Sequence, residues 1–141
     1  MTETRDPVTP EPVTHVSGTS DGAPFATALT FRQHHLTADE PHALGGANAG
    51  PPPFAYLLSG LIACTCITLR MYAARKDWPL SGITVEADYH HLPDGAYIDR
   101  VLHFTGDLSD KQRARLADVA ERTPVTLALK GASDIRTRLG A

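Results

Sequence analysis

The longest apolar stretch of the chain runs over residues 51–69, PPPFAYLLSGLIACTCITL, and contains no charged residue. A stretch of this length is just long enough to span a bilayer. Ser59, Gly60 and two threonines dilute its hydrophobicity, however, and Arg70 ends it. Since the remaining sequence is typical of a soluble domain, we expect no membrane partner. The stretch predicts a helix from about Pro53 to about Lys76 that is buried on nearly all sides.

Alternating apolar and polar positions predict strands before and after this helix. Two turn signals, Asp21-Gly22 and Pro93-Asp94-Gly95, each separate two such segments and predict antiparallel pairing. A further alternating segment ends the chain. The predicted strands cover residues 13–17, 25–34, 83–90, 97–105 and 135–139.

Two shorter helices and one long loop complete the predicted elements. Ser109 and Gln112 form a capping box that opens an amphipathic helix, which ends near Arg122. Thr123-Pro124 begins a short final helix that Gly131 ends. Residues 37–52 are rich in Gly, Pro, Asn and Asp, and a loop of that length is a candidate for function. Together the elements indicate an α+β fold.

Composition narrows the classes of protein that fit this pattern. The 141 residues are 42% hydrophobic and 21% charged, which favours a folded domain over residues 12–141 behind a flexible arm at 1–11. A net charge of −3 argues against a nucleic-acid partner bound through a basic surface. The first twenty residues have no apolar segment behind a basic start, so the expected location is cytoplasmic.

The long apolar helix predicts self-association. A chain of this size has only one or two small sheets with which to cover a helix that is apolar on most faces. Packing two such helices together in a symmetric dimer would bury them. We therefore expect a homodimer.

The two cysteines, Cys64 and Cys66, are the sharpest candidates for chemistry. Residues two apart on a helix point about 200° away from each other. The pair therefore cannot form a disulfide within the helix or chelate one metal ion. Buried cysteines most often serve as small apolar side chains, so a packing role is the default. The seven histidines have no chelating spacing, and we expect no metal or cofactor.

A reactive cysteine needs a nearby cation or another group that stabilises the thiolate. Arg70 lies four residues after Cys66 and so shares its face of the helix. For Cys64 the cation must come from another element, such as Arg32 or His34 in a predicted strand. Spacing alone does not choose between the two thiols.

Several motifs resemble the OsmC-like family, which includes osmotically inducible protein C and the organic hydroperoxide resistance proteins. The resemblance covers about residues 25–139. It rests on Ala38-Asp39-Glu40-Pro41, Gly45-Gly46, Gly50-Pro51, Ala63-Cys64-Thr65, Ile67-Thr68-Leu69-Arg70-Met71-Tyr72-Ala73, Arg75-Lys76 and Trp78-Pro79-Leu80.

This resemblance implies an intertwined α+β homodimer in which antiparallel sheets wrap two long central helices. It also implies an antioxidant, stress-response peroxidase that reduces organic hydroperoxides. Cys64 matches the peroxidatic cysteine that is oxidised to a sulfenic acid. In active relatives an arginine, for which Arg32 is the candidate here, and a glutamate hold that thiolate, and a second cysteine resolves it.

The sequence departs from this pattern at two places. Thr123 stands where relatives carry the second cysteine, and Pro53-Phe54-Ala55-Tyr56 lacks their glutamate. The first hypothesis is therefore a one-cysteine peroxidase recycled by an external thiol reductant. Cys66 could resolve the sulfenic acid only after local unwinding of the helix, or between the two chains of a dimer. The second is a dimer without peroxidase activity that binds a small apolar molecule at its interface. The third is acyl transfer by Cys64 with His34 or His35 as base.

Overall fold

The computed structural model describes residues 11–22 and 24–140. The predicted flexible arm at 1–11 therefore lies almost wholly outside the described residues. Contacts divide the chain into two compact units, one ending at Pro53 and one beginning at Phe54. Each unit is described separately below.

The first unit contains a three-stranded antiparallel sheet in the order β1-β2-β3. Its strands are β1 (Ser17–Thr19), β2 (Thr27–Phe31) and β3 (His34–Ala38). The prediction of a single strand over residues 25–34 is wrong. Phe31 pairs with His34, so Arg32 and Gln33 form a tight turn in which Arg32 has a φ of 50°. The first strand is also shorter and later than the predicted 13–17.

Residues 39–51 form a structured loop around one carboxylate, here called the Asp39 loop. It includes a short 3₁₀ turn at His42–Leu44. The buried Asp39 carboxylate accepts hydrogen bonds from the backbone N–H groups of Glu40, Ala47 and Ala49 at 2.8–3.2 Å. A Cβ at Gly46 would overlap the Glu40 carbonyl oxygen, so the loop requires glycine there.

The N–H groups around Asp39 also stabilise its charged form. Hydrogen bonds from the backbone, that of Ala49 foremost, hold the pKa of Asp39 below its usual value. The Asp-Glu-Pro and Gly-Gly motifs of the sequence therefore serve to shape this loop.

The second unit contains a long helix, a hairpin and two short helices. Helix α1 (Pro53–Arg75) leads to strands β4 (Gly82–Leu92) and β5 (Gly95–Thr105), which pair with each other. Helices α2 (Asp110–Ala120) and α3 (Pro124–Lys130) follow. These bounds confirm the predicted elements within a few residues. The capping box is present, because Ser109 and Gln112 exchange side-chain-to-backbone hydrogen bonds of 2.9 and 3.1 Å.

The predicted final strand at residues 135–139 is wrong. That segment is irregular, and Ile135 and Leu139 are almost fully exposed. An alternating pattern becomes a strand only where a neighbouring strand pairs with it, and within the described residues none does.

The core of the second unit is built on one line of α1. Leu61, Thr65, Leu69 and Ala73 recur every four residues along the helix and are buried. Leu69 and Ala73 pack with buried residues of the α2 region: Leu108, Leu116 and Ala120. By length and composition alone α1 could cross a membrane. One side of the helix packs into the core of the second unit.

The other side of α1 is exposed within one chain. Ile67 and Met71 are 54% and 60% exposed, and Leu57 is also accessible. The sequence predicted burial on nearly all sides, which one chain does not provide. We call Leu57, Gly60, Ala63, Ile67 and Met71 the open face of α1.

Candidate functional site

The sulfur of Cys64 receives a hydrogen bond from the start of α3. The backbone N–H of Val125, the second residue of that helix, donates to Cys64 Sγ across 3.5 Å. Thr68 Oγ1, one turn further along α1, lies 3.9 Å from the same sulfur. Cys64 is half-buried. A backbone N–H directed at a sulfur places a partial positive charge beside it, which is the kind of group that a reactive cysteine requires.

Thr123 determines where α3 begins. Its hydroxyl accepts a hydrogen bond from the backbone N–H of Thr126 at 3.4 Å, and Pro124 fits the first helical position. The Thr123 hydroxyl also lies 2.6 Å from that of Thr126, and the Thr123 side chain is completely buried. Thr123 therefore lies two residues before the group that contacts Cys64, and its oxygen serves as a helix cap.

A half-buried arginine connects the elements around this contact. Arg100 Nη1 donates to Thr65 Oγ1 at 3.0 Å and to Thr126 Oγ1 at 2.9 Å. Its Nη2 donates to the carbonyl oxygen of Ala120 at 2.9 Å. The guanidinium thereby joins α1, the end of α2 and the first turn of α3.

Sequence reasoning missed Arg100, although the pattern of β5 contains a signal for it. Ile98, Arg100, Leu102 and Phe104 occupy alternate positions and are the half-buried residues of the strand. A charged residue at one of the inward-facing, mostly apolar positions of a strand requires polar partners inside the protein. Its partners, two threonine hydroxyls and a helix-terminal carbonyl, come from elements distant in sequence.

Cys66 lies away from this site. Both cysteines are free thiols, as their spacing predicts. Two residues on a helix separate their directions by about 200°, so Cys66 points away from the Cys64 side of α1. Nothing in the described contacts brings Cys66 to Val125 or Arg100.

Arg32 and His34 belong to the first unit. The guanidinium of Arg32 lies 5.2 Å from the centroid of the Phe31 ring, which stacks on the ring of His34 at 6.3 Å. Both side chains are exposed. Their assignment to Cys64, and that of His35 as a base, stays a prediction.

A cavity of about 640 Å³ adjoins the arginine network in the second unit. Apolar and aromatic side chains of α1, the hairpin and α3 line it, among them Leu57, Leu61, Tyr89, Tyr97 and Leu129. Two of the charged residues that line the cavity form an ion pair. Lys130 Nζ donates a hydrogen bond to a carboxylate oxygen of Glu121 at 2.6 Å, and this hydrogen bond lowers the pKa of Glu121. Glu121 also lies 3.8 Å from Arg100. Over residues 11–22 and 24–140, no cluster of three His, Cys, Asp or Glu side chains could hold a metal ion.

Residues 45–138 match the family model described as OsmC-like protein. That match covers well over half of the chain and includes Cys64, Arg100 and Thr123. The chain belongs to the OsmC-like family. No curated protein matches the sequence.

Solved structures share the fold of this OsmC-like protein. An OsmC-like protein from Mycoplasma pneumoniae is 20% identical with a TM-score of 0.73, covering 84% of this chain and 88% of its own. A Legionella pneumophila organic hydroperoxide resistance protein OsmC is 23% identical with a TM-score of 0.62, covering 87% and 93%. A candidate organic hydroperoxide resistance protein from Vibrio cholerae, with captopril bound in one active site, is 20% identical with a TM-score of 0.61, covering 86% and 88%.

Proposed function

We propose that this OsmC-like protein is a thiol-dependent peroxidase that reduces organic hydroperoxides through Cys64. The observation that carries the proposal is the hydrogen bond from Val125 N–H to Cys64 Sγ. The Legionella and Vibrio neighbours, whose descriptions name organic hydroperoxide resistance, support the substrate class. We place the activity in the cytoplasm, as an antioxidant function in the response to stress.

The proposed reaction transfers one oxygen atom to sulfur. The electron pair of the Cys64 thiolate forms a bond to the terminal oxygen of the hydroperoxide, and the O–O bond breaks. The departing alkoxide takes a proton from solvent and leaves as an alcohol, while Cys64 becomes a sulfenic acid. Val125 N–H favours the attacking thiolate because its partial positive charge faces the sulfur.

An external thiol completes the cycle in this proposal. Thr123 has no sulfur, and Cys66 lies on a different side of α1. A small thiol condenses with the sulfenic acid, releasing water and forming a mixed disulfide. A second thiol attacks that disulfide, regenerates the Cys64 thiol and leaves as the oxidised reductant.

We also propose that two copies build the active protein. The open face of α1 presents apolar side chains that one chain leaves exposed, including Ile67 and Met71. A homodimer would bury them against a second copy of the same face. Cys64, half-buried beside this face, would then lie in a cleft to which both copies contribute.

Replacing each cysteine by serine tests the peroxidase proposal. With an organic hydroperoxide and dithiothreitol, we expect Cys64→Ser to lower the rate of peroxide consumption roughly a thousandfold. The matched variant Cys66→Ser should stay within about twofold of the unmodified protein. Mass spectrometry with a sulfenic-acid trap should label Cys64 after one equivalent of peroxide. Unchanged consumption in Cys64→Ser would reject the proposal.

A second candidate function is the binding of a small apolar molecule. The cavity lined by Leu57, Leu61 and Leu129 favours it, since its volume suits a small organic ligand. Thermal stabilisation by apolar molecules, without peroxide consumption in the same samples, would support binding in place of catalysis.

A further inference from the structure

Arg100 is a half-buried cation held mainly by neutral groups. Its side chain is only 12% exposed, and its nearest carboxylate, on Glu121, is itself 57% exposed and 3.8 Å away. The three hydrogen bonds from its guanidinium go to two hydroxyls and one carbonyl. Burying a charge with so little ionic compensation is costly. A cation in this position, where three helices meet, is therefore a candidate for a role in the site.

The two threonines that Arg100 contacts are chain neighbours of the atoms at the thiol. Thr65 directly follows Cys64, and Thr126 directly follows Val125. One nitrogen, Nη1, donates to both hydroxyls. The bridge from Thr65 to Thr126 thus connects α1 and α3 one residue further along each helix than the contact between Cys64 Sγ and Val125 N–H. It fixes the separation of the two helices at that point.

The remaining bonds of this network fix the direction of α3. Thr126 Oγ1 lies 2.6 Å from Thr123 Oγ1 and 3.3 Å from the Ala120 carbonyl oxygen, which also accepts from Arg100 Nη2. Thr65 Oγ1 is in turn bonded to the Leu61 carbonyl oxygen at 2.7 Å. Thr65 Oγ1 therefore has two partners and Thr126 Oγ1 has three, which gives each hydroxyl a single defined position.

We infer that Arg100 is a positioning residue for the Cys64 thiol, acting by holding α3 so that Val125 N–H stays directed at the sulfur. Its guanidinium bridges Thr65 and Thr126, and loss of that bridge lets the start of α3 move away from Cys64. This role rests on the proposed function in one respect, namely that the Cys64 thiolate it supports is the one that reduces the peroxide. The network itself acts on the thiol whatever reagent reaches it.

Alkylation of Cys64 tests the inference without any peroxide. In a Cys66→Ser background, the rate of reaction with iodoacetamide is followed from pH 5 to pH 10 by mass spectrometry of the Cys64 peptide. We expect Arg100→Met to lower the neutral-pH part of this rate profile roughly tenfold. Arg100→Lys should do nearly the same, because one ammonium cannot span both threonines and the Ala120 carbonyl.

Two further variants separate positioning from folding. Arg113 is a matched control, since it is half-buried and donates to the carbonyl oxygens of Phe104 and Gly106 at 3.3 and 3.2 Å. Arg113→Met should lower thermal stability but leave the alkylation profile of Cys64 in place. Thr126→Val removes one end of the bridge at nearly constant volume and should slow alkylation roughly threefold.

The outcomes separate this inference from the peroxidase proposal. If Arg100→Lys and Thr126→Val fold and both keep the original alkylation profile, the positioning role is wrong. The same holds if Arg113→Met moves the profile as far as Arg100→Met does. If the profile moves as expected while the unmodified protein consumes no hydroperoxide, the positioning role holds and the peroxidase proposal fails.

Discussion

Cys64 lies at the border between the two sides of α1. Its neighbours on one side, Leu61 and Thr65, are buried, and on the other side Ile67 and Met71 are exposed. A sulfur at this border combines a fixed hydrogen-bond donor with access for a small molecule. A cysteine on the Leu69 line would be sealed in the core, where burial favours the neutral, unreactive thiol.

Thr123 offers a direct test of how close the start of α3 lies to this sulfur. We expect Thr123→Cys to give the protein a resolving thiol, because position 123 lies two residues before the N–H that contacts Cys64. After one equivalent of hydroperoxide, mass spectrometry of the unreduced protein should show a disulfide between Cys64 and the new thiol. Loss of the cap should cost about 1 kcal/mol of stability.

A matched variant places the new thiol elsewhere. Ser133→Cys introduces a cysteine in the exposed segment after α3. It should leave Cys64 as a sulfenic acid that the trap labels. Equal disulfide formation in both variants would show that proximity to Cys64 does not distinguish position 123.

The stability of the Asp39 loop should depend on pH. The folded pKa of Asp39 is lower than the ordinary value of about 3.8, so the carboxylate stabilises the loop above that pH. This contribution is lost as the pH falls below 3.8 and through the folded value. Asp39→Asn should make the loop sensitive to proteolysis already at pH 7, and should flatten the acid dependence of unfolding.

The exposed Asp21 provides the control for this prediction. Asp21→Asn removes the same charge from the same unit, where the side chain is exposed. Proteolysis of residues 39–51 at pH 7 should then match that of the unmodified protein. If the loop of Asp39→Asn resisted proteolysis as well as the loop of the unmodified protein, the role given to the carboxylate would be wrong.

Elements with local signals were predictable from the sequence. The charge-free stretch, the capping box and the Pro93-Asp94-Gly95 turn gave α1, α2 and the hairpin to within a few residues. The division between β2 and β3 was missed, because Arg32-Gln33 carries no glycine, asparagine or proline although Arg32 adopts a positive φ. The arginine network was missed because its partners meet only when three helices pack.

At the scale of the whole molecule, the open face of α1 is an apolar surface that one chain leaves exposed. We expect Ile67→Glu to convert the proposed dimer into monomers, because it places a charge at the centre of an apolar interface. Sedimentation velocity measures the change. Peroxide consumption should fall with the dimer if both copies build the site.

The control for this variant adds the same charge outside α1. Leu139→Glu alters an apolar side chain that is 98% exposed in the irregular C-terminal segment. It should leave the sedimentation coefficient unchanged. A monomeric unmodified protein would reject the proposed assembly.

The open face also predicts how the stability of the protein changes on dilution. If dimerisation buries the open face of α1, folding and dimerisation form one coupled equilibrium that depends on the protein concentration. The melting temperature would then rise with the quantity of protein in solution. Newly made chains would reach full stability only after meeting a second copy, so the cellular supply of the protein would itself tune its resistance to heat.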